Sequence, residues 1–173
     1  MIKVLGIKII DRIKEAGLTQ KVLSKNADVI TTRLGFHEVT YEVCSREACI
    51  ILHLADEPSK YKELKNDLKQ IGGIAVSEVE FDRDPHTAFS DNIGKAPVLG
   101  VLVEQDSKTV MKVQAILTSY GCCISSRLGV NELFYGKKAG LIILTLTGDT
   151  EQRRLLEEAL RSLDNVYVRS LMF

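Results

Sequence analysis

The chain has 173 residues, 23 Lys plus Arg against 23 Asp plus Glu, and a net charge of zero. That balance speaks against a basic nucleic-acid-binding face and against a polybasic membrane-surface protein. A hydrophobic fraction of 45% with 27% charged residues is the composition of a globular fold, and excludes whole-chain disorder, collagen and coiled coil.

The first element is a β-branched-rich run, Val4 to Ile10, which reads as a strand. A helical stretch follows over about Asp11 to Asn26, then a second strand over Val29 to Val39, a hairpin loop over Thr40 to Glu47 and a third strand over Ala48 to Ala55. Ser59 to Ile71 is a second helix, with Leu64, Leu68 and Ile71 at helical spacing on one apolar face. Ile74 to Phe81 is the fourth strand. Residues 82–95, from Asp82 to Lys95, are polar, hold one Pro and one Gly, and read as a linker.

The order then recurs. Val98 to Val103 is a strand and Asp106 to Tyr120 a helix, with Val110, Val113, Ile116 and Leu117 on one face. Asp106-Ser107 supplies a start signal for this helix and Gly121 a stop signal. Strands at Cys123 to Leu133 and Gly140 to Thr147 flank a loop over Phe134 to Lys138, with Gly136 for its turn. A helix over Thr150 to Leu163 and a strand over Val166 to Phe173 complete the second round.

The two rounds align residue by residue. At an offset of 94, Val4-Leu5-Gly6-Ile7 falls on Val98-Leu99-Gly100-Val101, and Ile30 to Val39 on Ile124 to Leu133, including Arg33-Leu34-Gly35-x-x-Glu38 on Arg127-Leu128-Gly129-x-x-Glu132. Beyond the hairpin the offset is 92, and Ile50-Ile51-Leu52 falls on Ile142-Ile143-Leu144 and Phe81 on Phe173. A shared short motif, a collinear apolar pattern and a common end point together identify an internal duplication. The expected architecture is therefore α+β, two tandem ferredoxin-like units of order βαββαβ, at 1–81 and 96–173, joined by 82–95.

In this plan both helices cover one sheet face. In the third strands Leu52 and Leu54, like Leu144 and Leu146, are expected to point at the helices. The alternating positions Cys49, Ile51 and His53, and Leu141, Ile143 and Thr145, then lie on the other face. A bare face of that kind is an apolar patch that calls for cover, from the other repeat or from a second copy of the chain. A homodimer is the expectation.

Arg33 and Arg127 stand out among the polar residues because both copies carry them within a strand. A guanidinium there can grip a carboxylate or phosphate in a two-pronged way, or it can pair with Glu38, Glu132 or a partner's acid and fix an interface. Gly35 and Gly129 are expected to allow a bulge or a close backbone approach. His37, Cys44, Cys49 and His53 form a set of imidazoles and thiols suited to zinc, nickel or copper, and make metal sensing the alternative function. Their spacing fits no standard zinc motif, and the second copy has Asn131, Leu141 and Thr145 at the corresponding places.

The sequence has no G-x-G-x-x-G, Walker loop, Ser-His-Asp set or H-E-x-x-H, so no cofactor is assigned and the chain is expected not to be an enzyme. The ferredoxin-like plan is shared with RNA-recognition modules, but the aromatic stacking set those use is missing. No apolar run approaches the ~20 residues of a membrane span, and the start does not read as a signal peptide, so a cytoplasmic location with free thiols is expected.

The stretch Val98 to Val130, with Arg127-Leu128-Gly129, and the first-copy motif Arg33-Leu34-Gly35, resemble the small iron-only hydrogenase system regulators. Those are single ACT-like units, similar in fold to the ligand-sensing C-terminal domain of nickel-responsive repressors. The resemblance implies a regulatory module, not a catalyst, that binds a small effector or a protein partner at a unit interface. Two departures accompany it. This chain carries the unit twice. Its loops at Ile10-Asp11-Arg12 and Glu104-Gln105-Asp106 also lack the Gly that amino-acid-binding ACT domains present between first strand and first helix.

Overall fold

The computed structural model describes residues 2–37, 44–82, 93–104 and 106–173. The first round comprises β1 (Ile2–Ile9), α1 (Arg12–Lys25), β2 (Ile30–Phe36), β3 (Ala48–Leu54), α2 (Pro58–Lys69) and β4 (Ile74–Phe81). The second comprises β5 (Val98–Glu104), α3 (Ser107–Ser119), β6 (Ile124–Phe134), β7 (Lys137–Leu146), α4 (Thr150–Arg161) and β8 (Val166–Leu171). Each round closes a four-stranded sheet, ordered β2-β3-β1-β4 and β6-β7-β5-β8, with β1–β3, β2–β3, β5–β7, β5–β8 and β6–β7 antiparallel. The fold is α+β, two tandem ferredoxin-like, ACT-like units.

The compact units depart from the repeats at their ends, and the stretch between the repeats groups with the second unit. One unit is Ile2–Glu80 together with Phe173, and the other runs Phe81–Met172. The Phe81 ring lies on Gly100, where an added Cβ would sit 2.8 Å from it, and the Phe173 ring lies on Gly6, at 2.5 Å. Both glycines are therefore required by a close approach, and both rings are the final apolar residue of their repeat.

The helices begin where short acidic side chains can satisfy free backbone N–H groups. Asp11 accepts from the Ile13 N–H, Asp106 from Lys108 and Thr109, and Asp149 from Gln152, while α2 starts with Pro58. The four helices present their apolar stripes to one sheet face each. In the first unit Leu5, Ile7, Ile50, Leu52, Leu64 and Leu68 meet, and in the second Leu99, Val101, Ile142, Leu144, Leu156 and Leu160.

The opposite sheet faces are also buried. Ile51, Leu141 and Ile143, on the faces away from the helices, are 1%, 0% and 1% exposed.

Two details differ from the sequence reading. β7 begins at Lys137, and a two-residue turn, Tyr135-Gly136, joins it to β6. Both turn residues have positive φ (49° and 77°), the backbone that matches strand twist in a tight hairpin. Lys137 and Lys138 are polar and so hid the strand start. The first-copy loop expected over Thr40 to Glu47 lies largely outside the described residues, as do residues 83–92 of the expected linker.

The end of that linker is held in place. Gly94 is buried, with φ 76°, and its N–H donates to Glu157 Oε2 at 2.9 Å. Glu157 is 1% exposed, and its Oε1 accepts from Arg161 Nη2 at 2.7 Å and Ser170 Oγ at 2.9 Å. Among the described residues no helix is long and apolar enough to cross a membrane.

Candidate functional site

Both second strands carry an extra residue at the same place. Ile124 pairs with Leu146 and Ser126 with Thr145, so Ser125 is inserted, and Thr31 is inserted likewise between Ile30, opposite Leu54, and Thr32, opposite His53. This is a β-bulge. In each copy the inserted hydroxyl donates to the carbonyl opposite, Thr31 Oγ1 to His53 O at 3.0 Å and Ser125 Oγ to Thr145 O at 3.1 Å. The bulges therefore sit at Thr31 and Ser125, not at Gly35 and Gly129. An added Cβ at either glycine meets nothing within 4 Å, and neither has positive φ.

Past the bulge, alternation sends Arg127, Gly129 and Asn131 to the helix-facing side, opposite Leu144, Ile142 and Gly140. There they border a cavity of about 310 Å³ between α3 and strands β5, β6 and β7. Val103, Val110 and Val113 supply apolar wall, with Val130, Gly140, Leu141 and Ile142. The polar groups are Arg127, Gln114 and Asn131. Val103 and Val113 are buried, while Arg127 and Asn131 are exposed at the mouth. Among the described residues no acidic side chain lines the cavity, and none accepts a hydrogen bond from the Arg127 guanidinium.

The first unit treats the matching residues differently. Arg33 Nη1 donates to Gln20 Oε1 at 2.6 Å. Gln20 and Gln114 are themselves related by the offset of 94. Sequence reading singled out the arginines and missed these glutamines, although a polar residue retained at one helix position in both copies was the available signal.

Among the described residues, no acidic side chain engages Arg33 or Arg127. Glu132 alternates to the sheet face opposite Arg127, and Glu38 lies outside the described residues. Gly35 continues β2 opposite Ile50, and Gly129 lines the cavity.

His37, Cys44, Cys49 and His53 do not assemble. Among the described residues no three His, Cys, Asp or Glu side chains could together hold a metal ion. His53 is 3% exposed, and its Nδ1 lies 2.5 Å from Thr31 Oγ1. The single Thr31 proton already goes to the His53 carbonyl, so Nδ1–H is the donor to Oγ1. Burial pushes the Cys49 thiol up to about 12, against the opposing pull of the Lys8 ammonium, which keeps it protonated and a poor metal ligand. Cys44 is exposed, with Arg12 Nη2 donating to its sulfur at 2.8 Å, and His37 is exposed at the end of β2. The residue types suggested a site, but the strand register puts Cys49 in β3 and makes His53 a partner of the bulge at Thr31, while His37 and Cys44 are exposed.

No protein-family model and no curated protein matches the chain, so nothing there supports the resemblance to iron-only hydrogenase system regulators. Solved structures do. An uncharacterized protein from Thermotoga maritima is 26% identical over 47% of this chain and 96% of its own, at a TM-score of 0.41. A candidate glycine cleavage system transcriptional repressor is 11% identical, covering 97% of this chain and 94% of its own, at 0.39. The acetolactate synthase small subunit from Thermotoga maritima is 6% identical, covering 99% and 95%, at 0.36. Overlaps this loose leave function to the residues themselves.

Proposed function

We propose that this chain is a non-catalytic regulatory module of two ACT-like units, and that the second unit takes a small ligand in the cleft between α3 and β6. The observation that carries the reading is the 310 Å³ cavity with an unengaged guanidinium at its mouth and valines on its wall. Its size is at the lower end of the ~300–1,000 Å³ of ligand sites. A few polar groups converging on an apolar wall are what such sites require: the polar groups orient and the wall supplies contact area.

Among the described residues the lining offers no nucleophile and no acid or base pair, only a permanent cation, two amides and aliphatic surface. Binding without turnover is the chemistry these groups support. The proposed ligand lies in this cleft, within one unit, whereas the sequence expectation is a unit interface.

Titration of the ¹⁵N-labelled full chain with a panel of carboxylic acids, amino acids, nucleotides and inorganic phosphate tests the reading. At least one compound is expected to shift the amide resonances of Gly129, Asn131 and Gly140, with the shifts lost in Arg127→Gln. A panel that leaves those resonances still at millimolar concentration refutes it.

A further inference from the structure

The lining is specific enough to name a ligand class. We propose that the cleft of the second unit selects a small aliphatic monocarboxylate that lacks an ammonium group; this rests on the ligand-binding reading above.

Charge comes first. The cleft has one cation, Arg127, and no acidic side chain among the described residues that line it. A guanidinium presents paired N–H groups that match a carboxylate's two oxygens. An amino acid would carry its ammonium into the same cleft, where no carboxylate waits to receive it and the walls are valine, and an uncompensated charge against apolar surface is costly. The lining is thus complementary to a net charge of minus one.

Multiply charged anions are disfavoured by the helix. Phosphate sites on helices use the free N–H groups of the first turn. The cavity meets α3 at Val110, Val113 and Gln114, beyond that turn, and the Val110 N–H already donates to Asp106 O at 2.9 Å. One guanidinium without a backbone cradle suits a single negative charge.

The remainder of the ligand is set by the walls. Val103 and Val113, 3% and 1% exposed, form an aliphatic floor, and among the described residues no aromatic ring lines the cavity on which a base could stack. Gln114 and Asn131 add neutral amides at the rim. The first unit supplies the contrast: there the glutamine carbonyl already occupies the guanidinium, and Thr19 stands where the second unit has Val113.

The test uses isovalerate, L-valine, isovaleramide and inorganic phosphate, each titrated into the ¹⁵N-labelled full chain. Isovalerate and L-valine share a carbon skeleton and differ in the ammonium group, while isovaleramide lacks the negative charge. Isovalerate is expected to shift the Gly129, Asn131 and Gly140 amides with a Kd at least tenfold below those of the other three. Arg127→Gln is expected to weaken it roughly 10- to 150-fold, the range for a lost charge-assisted hydrogen bond. Arg33→Gln leaves it unchanged, which separates a site effect from a general loss of stability.

Equal or tighter binding of L-valine or phosphate at the same amides overturns the ligand class and leaves the cleft as a binding site. Isovalerate binding that survives Arg127→Gln overturns the role given to the guanidinium. Silence from all four probes overturns the class, and silence across the wider panel removes the binding reading with it.

Discussion

Gly94→Ala is the substitution with the most directly calculable effect. Gly94 has φ 76°, a left-handed backbone that costs an L-residue with a Cβ about 1–2 kcal/mol. Its new Cβ would lie 2.7 Å from the Arg154 nitrogen, and 2.8 Å from that residue's Cα and Cβ. The nearest atoms are helix backbone, so the turn at 93–95 must move away from α4. That movement breaks the Gly94 N–H bond to Glu157 Oε2, whose 2.9 Å length and charged acceptor place it among hydrogen bonds worth about 1.5–3 kcal/mol. Together the two effects give a loss of about 3–5 kcal/mol, a large share of the ~5–15 kcal/mol that holds a typical protein folded. Urea denaturation followed by circular dichroism should show the midpoint falling by about 2 M, taking an m-value of about 2 kcal/mol/M. Part of the loss runs through Glu157, so Gly94→Ala and Glu157→Gln should combine to less than the sum of their separate effects. A midpoint shift below about 0.5 M for Gly94→Ala would show that this turn is not held against α4 as described.

Three further outcomes are expected. Thr31→Val removes the hydroxyl that serves both the His53 ring and the His53 carbonyl, and should cost about 1–3 kcal/mol in urea titration. Ser125→Ala should cost less, because Thr145 Oγ1 keeps Ser126 Oγ at 2.5 Å; equal losses would refute the pinning role. Gly35→Ala and Gly129→Ala should each leave stability unchanged or raise it by up to about 1 kcal/mol, since strand glycine carries an entropic cost and an added Cβ meets nothing within 4 Å at either position; a loss above 1 kcal/mol would contradict the open space described there. Of the four thiols, exposed Cys44 and Cys122 should react quickly with Ellman's reagent at pH 8, and Cys49 and Cys123 slowly. Folding shifts Cys49 upward from 9.0 to about 12, so its contribution to stability is complete below pH 9 and declines as pH rises toward 12. Fast labelling of Cys49 at pH 8, mapped by mass spectrometry, would refute its burial.

Element order was legible because the chain states it twice. A helix stripe such as Leu64, Leu68 and Ile71 is ambiguous alone, but Leu156, Leu160 and Leu163 repeat it at a fixed offset. Arg33 and Arg127 were visible for the same reason. The cavity was not, because it depends on which face of β6 bears Arg127, and a strict period of two from Ile124 gives the wrong answer. His53 was misread for the same cause: residue type suggested a ligand, while its position opposite an inserted Thr31 makes it a bulge partner. The contrast between a guanidinium held by Gln20 and one left open beside Gln114 depends on side-chain conformations that no spacing encodes.

The inserted residues at 31 and 125 act as phase shifters. Ile124 anchors in the core and Arg127 opens onto the cleft, three positions apart yet on the same side of the sheet, which an unbroken strand forbids. Shortening the strand by the inserted residue alone would straighten it and keep both side chains where they are. Adding one residue anywhere between Ser126 and Arg127 would turn the guanidinium to the far face and send Leu128 toward the helices. The cleft therefore depends on the length of β6 past the bulge, because a one-residue change there exchanges the strand's two faces. In a duplicated chain that constraint applies twice, so length change is expected to collect in the connections, where the copies already differ by two residues.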